Sequence, residues 1–225
     1  TIGGNLCQKP RCWYYRGEFA CLRKGGGICF AAKGENQFHC LFGSGGICYI
    51  VHPSDTAPPL VALNARVEIA GLDGARHLAV ENLHVAPADD VRRETWLEPG
   101  EILTAVLLPP PSPGLVSSYR KVRARRSWDF ALASVALALE TAGDRVVDGR
   151  VVLGGVAPVP WRCQPVERVV RGKRIDSQVL AAAADAVVDG AAPMEKNAYK
   201  IPLLRGLVQE CLAEVEEARH RTSTG

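Results

Sequence analysis

The feature that most constrains the fold of this chain is a cluster of cysteines within its first 48 residues. Glycines interrupt this stretch at several points, and neither a helical nor a strand period continues through it. A segment of this length without regular structure needs another source of order, which ligation to a metal centre would supply. The six cysteines are Cys7, Cys12, Cys21, Cys29, Cys40 and Cys48.

Three kinds of site use thiols gathered in this way: disulfide pairs, a zinc site and an iron–sulfur cluster. Disulfides are disfavoured because 225 residues are enough to bury a core without covalent cross-links. Zinc is less favoured because none of the six cysteines forms the C-x2-C pair typical of structural zinc sites. His39 and His52 are possible ligands, although each is more simply interpreted as a polar loop histidine.

The charge pattern gives little reason to expect a nucleic-acid partner. The net charge is +3, and both signs are interspersed along the chain. The one dense basic run, residues 120–126, is interpreted as a solvated or anion-facing strand end. No apolar stretch is long enough to predict a membrane span. The chain begins with Thr1 inside a loop of functional character, and we therefore expect further residues upstream in the intact protein.

The pattern after residue 55 predicts an α+β fold. A short helix is expected at 60–63, and a strand at 66–70 ends at the turn Asp73-Gly74. The proline-rich residues 109–114 predict a domain boundary. The alanine-rich segment 131–140 is interpreted as a strand because larger apolar residues alternate with its alanines. Further strands are predicted at 101–108, 118–123 and 145–153, and helices at 164–170, 177–188 (capped by Asp176) and 201–220, the last with Leu203, Leu207, Cys211 and Val215 on one apolar face.

The opening residues have the composition of an anion-binding turn. Thr1 and Asn5 supply side-chain donors, while Gly3 and Gly4 allow the backbone to approach a phosphate closely. This signal is weak by itself and gains weight from the segments that follow it. Those segments are 12–16 (CWYYR), 53–55 (PSD), 121–123 (KVR), 129–134 (DFALAS) and 154–158 (GGVAP).

In this order the segments resemble the FAD-binding (medium) subunit of the xanthine dehydrogenase and molybdenum hydroxylase family. The cysteine-rich part resembles the aldehyde-oxidoreductase and 4-hydroxybenzoyl-CoA-reductase type, whose flavin subunit carries an extra [4Fe-4S] cluster. The resemblance implies the second half of a PCMH-type FAD-binding domain at 1–112, with an insert at 7–48. A CO dehydrogenase flavoprotein C-terminal-type domain, a small antiparallel sheet with helices, follows at 113–225. The family's glycine-rich flavin loop is expected upstream, so we expect an incomplete FAD site here.

The resemblance also implies roles for single residues. Thr1, Gly3, Gly4 and Asn5 would contact the FAD phosphates and ribityl chain, and the Ser54-Asp55 pair would bind the flavin side. Leu103 would lie against the ring system, and Lys121 would face the isoalloxazine or its phosphates. Simpler interpretations stay open, because Asp55 suits a helix N-cap and Leu103 suits the core.

For the cluster, Cys12, Cys21 and Cys29 are the first choices and Cys48 is preferred as the fourth ligand. Cys7 and Cys40 remain alternatives, although family members can carry leucine and alanine there, as expected of buried apolar positions. Trp13, Tyr14 and Tyr15 would shield the cluster from water. Cys163 and Cys211, in the helical part, are interpreted as buried thiols.

The implied function is electron transfer, with no catalytic residue in this chain. Substrate oxidation would occur in a molybdenum-containing large subunit, and electrons would pass through a [2Fe-2S] small subunit to FAD and then to an external acceptor. The subunits would form a heterotrimer or its dimer, in the cytoplasm or, exported as a complex, in the periplasm. The alternative is a non-catalytic zinc-binding scaffold or assembly protein with cysteine-rich loops.

Overall fold

Two antiparallel sheets and six helices form the part of the chain that the structure, a computed structural model, describes: residues 1–223, with side chains through Arg219. The first sheet has the strand order β2-β1-β3, and the second has the order β4-β5-β6-β7. The strands are β1 (Arg66–Gly71), β2 (Gly74–Ala79), β3 (Ile102–Leu107), β4 (Leu115–Val122), β5 (Ala133–Ala142), β6 (Arg145–Gly154) and β7 (Trp161–Arg162). The helices are α1 (Ile2–Leu6), α2 (Trp13–Arg16), α3 (Ala57–Ala62), α4 (Gln164–Val170), α5 (Ser177–Ala186) and α6 (Lys200–Ser223).

The first sheet confirms the strands predicted at 66–70 and 101–108. Alternation places Val67 and Ile69 of β1 in a core that they share with α3. The turn at Asp73-Gly74 joins β1 to β2, and Gly74 has φ +111°, a conformation that favours glycine. The sequence analysis did not predict β2, because most of its residues are exposed and carry no apolar alternation.

The alanine-rich segment is a strand, as predicted. Val135, Leu137 and Leu139 of β5 lie on the face that packs against α4, α5 and α6. Ala136 and Ala138 lie on the opposite face, in the core that contains α3 and β1. The central sheet therefore has a large-residue face toward the C-terminal helices and a small-residue face toward the first half of the chain.

Helix α3 packs directly on this small-residue face, against β5 and β6. At the end of β6, a Cβ atom on Gly154 would lie 2.8 Å from Cγ of Pro58. Glycine is needed here because any larger residue would push α3 away from the sheet. Residues 109–114 connect β3 to β4, as expected of the predicted linker, and the division into 1–112 and 113–225 remains a prediction.

The three C-terminal helices were predicted closely. Helix α4 has the predicted bounds, and the Asp176 side chain caps α5 by accepting a hydrogen bond from the Val179 amide at 2.9 Å. On α6, Leu207, Cys211 and Val215 are buried on the apolar face, and Leu203 is partly buried.

The cysteine-rich residues have little regular structure, in agreement with the prediction. Between α1 and α3 they contain only α2, short 3-10 turns at Leu22–Lys24 and Phe30–Ala32, and irregular backbone. The opening residues differ from the predicted turn, because they form the five-residue helix α1. Thr1 caps this helix by accepting a hydrogen bond from the Gly4 amide at 3.1 Å. Over the described residues, no helix has the length and apolar character needed to cross a membrane.

The small-residue face can be tested with the substitution Ala136→Leu. Because Ala136 is buried between β5 and α3, added methylenes have no space, and we expect the free energy of unfolding to fall by about 1–3 kcal/mol. Ala142→Leu, at the exposed end of the same strand, is the matched control and should have little effect. Urea denaturation of both variants measures the difference, and equal stabilities would contradict the packing described.

Candidate functional site

A cavity of about 230 Å³ lies where the cysteine-rich segment meets the β4–β5 loop and residues 50–55. Its wall combines aromatic and apolar side chains with a few polar groups, as is usual for small-molecule sites. The cysteine-rich segment supplies Trp13, Phe38 and His39, and the β4–β5 loop supplies Asp129 and Phe130. Ser54 and Asp55, both predicted site residues, also line it.

Asn5 holds the Ser54 side of this cavity in place. Its Oδ1 atom accepts hydrogen bonds from the Ser54 and Thr56 hydroxyls, each at 2.6 Å. The Ser54 hydroxyl oxygen in turn accepts a hydrogen bond from the Ala57 amide at 3.0 Å. These contacts join α1 to the first turn of α3, so the opening residues support the cavity wall.

Asp55 and Lys121 form an ion pair at the edge of the cavity. Lys121 Nζ donates to Asp55 Oδ2 at 2.5 Å and to the Asp129 carbonyl at 2.7 Å. Burial raises the pKa of Tyr119 to about 12, and the nearby Asp55 charge acts in the same direction. The N-cap interpretation of Asp55 is wrong, because Thr56 occupies the N-cap position of α3 and Asp55 bonds to β4 instead.

The other residues predicted to bind the flavin, Thr1, Gly3, Gly4 and Leu103, do not line the cavity. Gly3 packs against Leu103, whose carbonyl oxygen would be 3.4 Å from a Cβ atom at position 3. Leu103 is partly buried against the first core, which agrees with its simpler interpretation as a core residue. Thr1 and Gly4 are exposed at the start of α1. The structure thus places all the predicted residues in one region, with Ser54 and Asp55 on the cavity surface. Beyond β4, Arg123, Arg125 and Arg126 are exposed, as expected of a solvated basic run.

A second cavity, of about 10 Å³, is lined by the four cysteines preferred from the sequence. Tyr14 and Tyr15 also line this cavity, whereas Trp13 lines the larger one. The other two cysteines of the segment, Cys7 and Cys40, do not line it. The four lining cysteines are Cys12, Cys21, Cys29 and Cys48.

The thiols in this cavity interact with one another and with His39. A hydrogen bond from the Cys48 thiol lowers the pKa of Cys29, and the same contact, together with burial, raises that of Cys48. Cys12 Sγ lies 3.3 Å from His39 Nε2. Burial also raises the pKa values of Cys12 and Cys40, the latter to about 12, so only Cys29 has a lowered pKa among these thiols. Within the described residues, no three His, Cys, Asp or Glu side chains are arranged to hold a single metal ion.

Arg23 is a buried cation at the same cavity, and the sequence analysis missed it. Its Nη2 donates to the Arg93 carbonyl and to Glu94 Oε1, each at 2.8 Å. Its Nε and Nη1 groups are buried without a hydrogen-bond partner among the described residues. Buried donors normally find an acceptor, so an unpaired pair of donors at a thiol-lined cavity favours an anionic occupant.

The two cavities share a wall made of Cys12, His39 and Ile50. His52 lines only the larger one, where its Nδ1 atom accepts a hydrogen bond from the Ser54 amide and its ring contacts that of His84. A ligand in the larger cavity would therefore lie next to Cys12 and close to the other three cysteines.

Comparison with known proteins gives the same assignment along the chain. A family described as the FAD binding domain in molybdopterin dehydrogenase matches residues 1–111, and the CO dehydrogenase flavoprotein C-terminal domain matches residues 117–215. The chain is 36% identical over 217 residues to the aldehyde oxidoreductase FAD-binding subunit PaoB of Escherichia coli, covering 95% of this chain and 65% of that protein. The chain belongs to the FAD-binding subunits of the molybdenum hydroxylase family.

Further relatives support this membership. The carbon monoxide dehydrogenase medium chain of Afipia carboxidovorans is 31% identical over 151 residues, which cover 64% of this chain and 50% of that one. The solved carbon monoxide dehydrogenase from Hydrogenophaga pseudoflava superposes with a TM-score of 0.65 at 25% identity, covering 74% of this chain and 57% of that chain. The chain thus spans less than two thirds of the length of these relatives. The α+β fold expected from the resemblance is confirmed.

In this flavoprotein chain, two residues at or just before the start of α6 fix the segment that carries His39, and sequence reasoning missed them. Asn197 Nδ2 donates to the carbonyls of His39 and Cys40 at 3.1 and 3.0 Å. Lys200, which has no exposed surface, donates from Nζ to the Phe38 carbonyl at 3.2 Å and to the Gly155 carbonyl at 2.7 Å. A polar pair at a helix start gives no sequence signal for such contacts. Cys163 and Cys211 are buried, as predicted.

We expect Asn5→Ala to destabilise the chain by about 1–2 kcal/mol, because the Ser54 and Thr56 hydroxyls lose their shared acceptor. Asn5→Asp keeps an oxygen at the acceptor position and should retain most of the stability. Urea denaturation of the two variants makes the comparison. If Asn5→Ala proves as stable as Asn5→Asp, the hydrogen bonds do not support the wall.

Lys200 predicts a pH dependence of stability. Burial lowers its pKa to about 7, whereas an unfolded lysine titrates near 10.4, so the unfolded state binds more protons above pH 7. Lys200 should therefore make the free energy of unfolding rise by about 1.6 kcal/mol between pH 7 and pH 8.5. Lys200→Met should reduce the rise by this amount, as followed by urea denaturation at several pH values.

Other groups also titrate in or near this window. A hydrogen bond from the Cys48 thiol lowers the pKa of Cys29 to about 6, so Cys29 adds a rise of its own up to about pH 8.5. The pKa values of His39, His52 and His84 are lowered, chiefly by burial, and their effect on stability ends about one pH unit above 6.5. Thiols such as Cys40, with pKa values raised by burial, oppose the rise only above about pH 8.5. An identical rise in Lys200→Met would show that Lys200 is not its source.

Proposed function

We propose that this chain is the FAD- and iron–sulfur-binding electron-transfer component of a molybdenum-containing oxidoreductase of the aldehyde or xanthine type. The observation that carries the proposal is the pair of adjoining cavities, one lined by four cysteines and the other by Ser54, Asp55 and aromatic side chains. The relatives named as FAD-binding subunits of aldehyde oxidoreductase and xanthine dehydrogenase support it. Family membership supports the flavin part of the proposal, and the cysteine cavity supports the iron–sulfur part.

The larger cavity suits the ring end of a flavin. Trp13, Phe38 and Phe130 provide apolar surface, and Ser54 and Asp55 provide polar groups at one side. FAD supplies the ability to receive electrons in pairs and release them to a separate acceptor. This chain's residues would orient the ring, with Asp55 held by Lys121 and Ser54 held by Asn5. Thr1, Gly3 and Gly4 would lie toward the phosphates, and Leu103 would support helix α1, which carries them.

The four thiols around the smaller cavity, Cys12, Cys21, Cys29 and Cys48, are the ligand set that a [4Fe-4S] cluster requires. Each of these cysteines would bind a different iron. The unpaired Nε and Nη1 donors of Arg23 would meet the negative charge of the cluster. The cluster supplies a one-electron centre beside the flavin.

The proposed component works within a larger assembly. Substrate oxidation would occur on a molybdenum-containing large subunit, and a [2Fe-2S] small subunit would deliver the electrons to this chain. The names of the relatives as medium chains and FAD-binding subunits support this arrangement.

The cluster is tested by single cysteine-to-alanine variants of the complete subunit, purified without oxygen together with its partner subunits. We expect alanine at Cys12, Cys21, Cys29 or Cys48 to remove most of the visible cluster absorption and about four irons with their acid-labile sulfide per chain. Cys7→Ala and Cys40→Ala are the matched controls and should keep both. A colourless wild-type protein with stoichiometric zinc would reject the cluster and support the zinc-binding scaffold.

The flavin site is tested by the flavin that the complete subunit releases on denaturation. We expect Asp55→Ala to lower the FAD content and to leave the iron and sulfide contents unchanged, because Asp55 lines only the larger cavity. The control Asp148→Ala removes an exposed carboxylate on β6, far from this cavity wall in sequence and in the sheet. Full FAD occupancy in Asp55→Ala would remove Asp55 from the proposed site.

A further inference from the structure

Two side chains with nitrogen donors, Arg23 and His39, line the cysteine cavity without being predicted metal ligands. Arg23 follows Cys21 by two positions, and only 2% of its side chain is exposed. Two of its three nitrogens have no acceptor among the described residues, while the third bonds to Glu94 and the Arg93 carbonyl. An unsatisfied charged donor in a buried site is costly, so the site is built for an acceptor that the polypeptide itself does not provide.

His39 is the second donor. Its Nε2 atom lies 3.3 Å from Cys12 Sγ, and the Asn197 side chain fixes its backbone carbonyl at 3.1 Å. With the proton on Nε2, the imidazole donates to the Cys12 thiolate. His39 also lies on the wall shared by the two cavities. The imidazole is thus held at the side of the thiol cavity that faces the larger cavity.

We propose that Arg23 and His39 donate hydrogen bonds to the sulfur atoms of the iron–sulfur cluster and thereby raise its reduction potential. The proposal rests on the cluster proposed above. In the redox step the oxidised cluster gains one electron from the reduced flavin or the [2Fe-2S] subunit, and no covalent bond forms or breaks. The reduced cluster is more negative by one charge, so donors to its sulfurs stabilise it more than the oxidised form.

The ion pair with Glu94 determines how Arg23 would affect the cluster. Its carboxylate, with 19% of the side chain exposed, pairs with Arg23 and offsets much of the net charge of the guanidinium. The same ion pair fixes the guanidinium plane, which leaves Nε and Nη1 free to donate. Directed hydrogen bonds, rather than net charge alone, therefore carry the effect. A lysine at this position would keep the charge but lose the planar pair of donors.

A higher reduction potential of the cluster would shift electrons from the flavin toward the cluster. The cluster would then keep an electron that the flavin has received. Two donors of this kind around one cavity favour a reservoir beside the flavin over a low-potential relay. This distribution of electrons would let FAD return sooner to the state that accepts the next pair.

The experiment is a redox titration of the cluster, followed by EPR, in the complete complex. We expect His39→Leu and Arg23→Met each to lower the ratio of reduced to oxidised cluster at a fixed poise about tenfold, which corresponds to about 59 mV for a one-electron couple. His39→Gln and Arg23→Lys keep a donor or the charge and should show smaller shifts. Lys24→Met, which removes an exposed cation from the same 3-10 turn, is the matched control and should leave the ratio unchanged.

The outcomes separate the two proposals. A wild-type complex without iron and acid-labile sulfide would reject the cluster itself. A cluster present in all variants with an unchanged potential would overturn the roles of Arg23 and His39. If Arg23→Met fails to assemble a cluster, the reduction potentials of Arg23→Lys and of the two His39 variants test the proposal instead. Resonance Raman spectra supply an independent readout, because loss of a hydrogen bond to Cys12 should shift the iron–thiolate stretching bands in His39→Leu.

Discussion

The close packing of helix α3 on the alanine face of the central sheet is the contact on which the rest of the structure depends. Ala136 and Ala138 leave space for the helix, and Gly154 lets Pro58 approach the end of β6. The residues that lead into α3 carry Ser54 and Asp55, so the position of the helix sets one wall of the larger cavity. A larger residue on this face would therefore disturb the binding site as well as the core.

The cysteine-rich segment depends on a different kind of order. It has few buried apolar side chains and little regular backbone. Hydrogen bonds of helices and sheets therefore offset little of the conformational entropy that the segment loses on folding. Instead, Asn197 and Lys200 bind its carbonyls from the start of α6, and aromatic rings such as Tyr14, Phe19 and Phe30 pack against one another. A cluster bound to four of its thiols would add covalent links to these contacts.

Much of the fold was predictable from the sequence because it depends on local patterns. Alternation identified β1 and β5, prolines and turn residues bounded β3 and β6, and the Asp176 cap gave the start of α5. The strand β2 was missed because its side chains are exposed, and α1 was read as a turn because glycines lower helix propensity. Contacts with other elements of the fold, rather than local sequence patterns, stabilise β2 and α1.

The candidate site likewise contains residues that could be predicted from the sequence and residues that could not. Spacing and resemblance singled out the four cysteines and the Ser54-Asp55 pair, which the structure places around two adjoining cavities. Arg23, Asn197 and Lys200 could not be predicted, because their roles depend on partners up to 162 positions away. A lysine or arginine in a sequence normally indicates solvent exposure, and only the fold shows that these two are buried.

The wall that the two cavities share has a consequence for assembly and damage. Cys12, His39 and Ile50 line both cavities, so a ligand in the larger cavity would lie beside the thiols. A bound flavin would therefore cover this side of the thiol cavity. On this view the order of loading matters: iron and sulfide would enter first, and the flavin would then protect them, so that protein stripped of flavin would lose its iron in air sooner than the loaded complex.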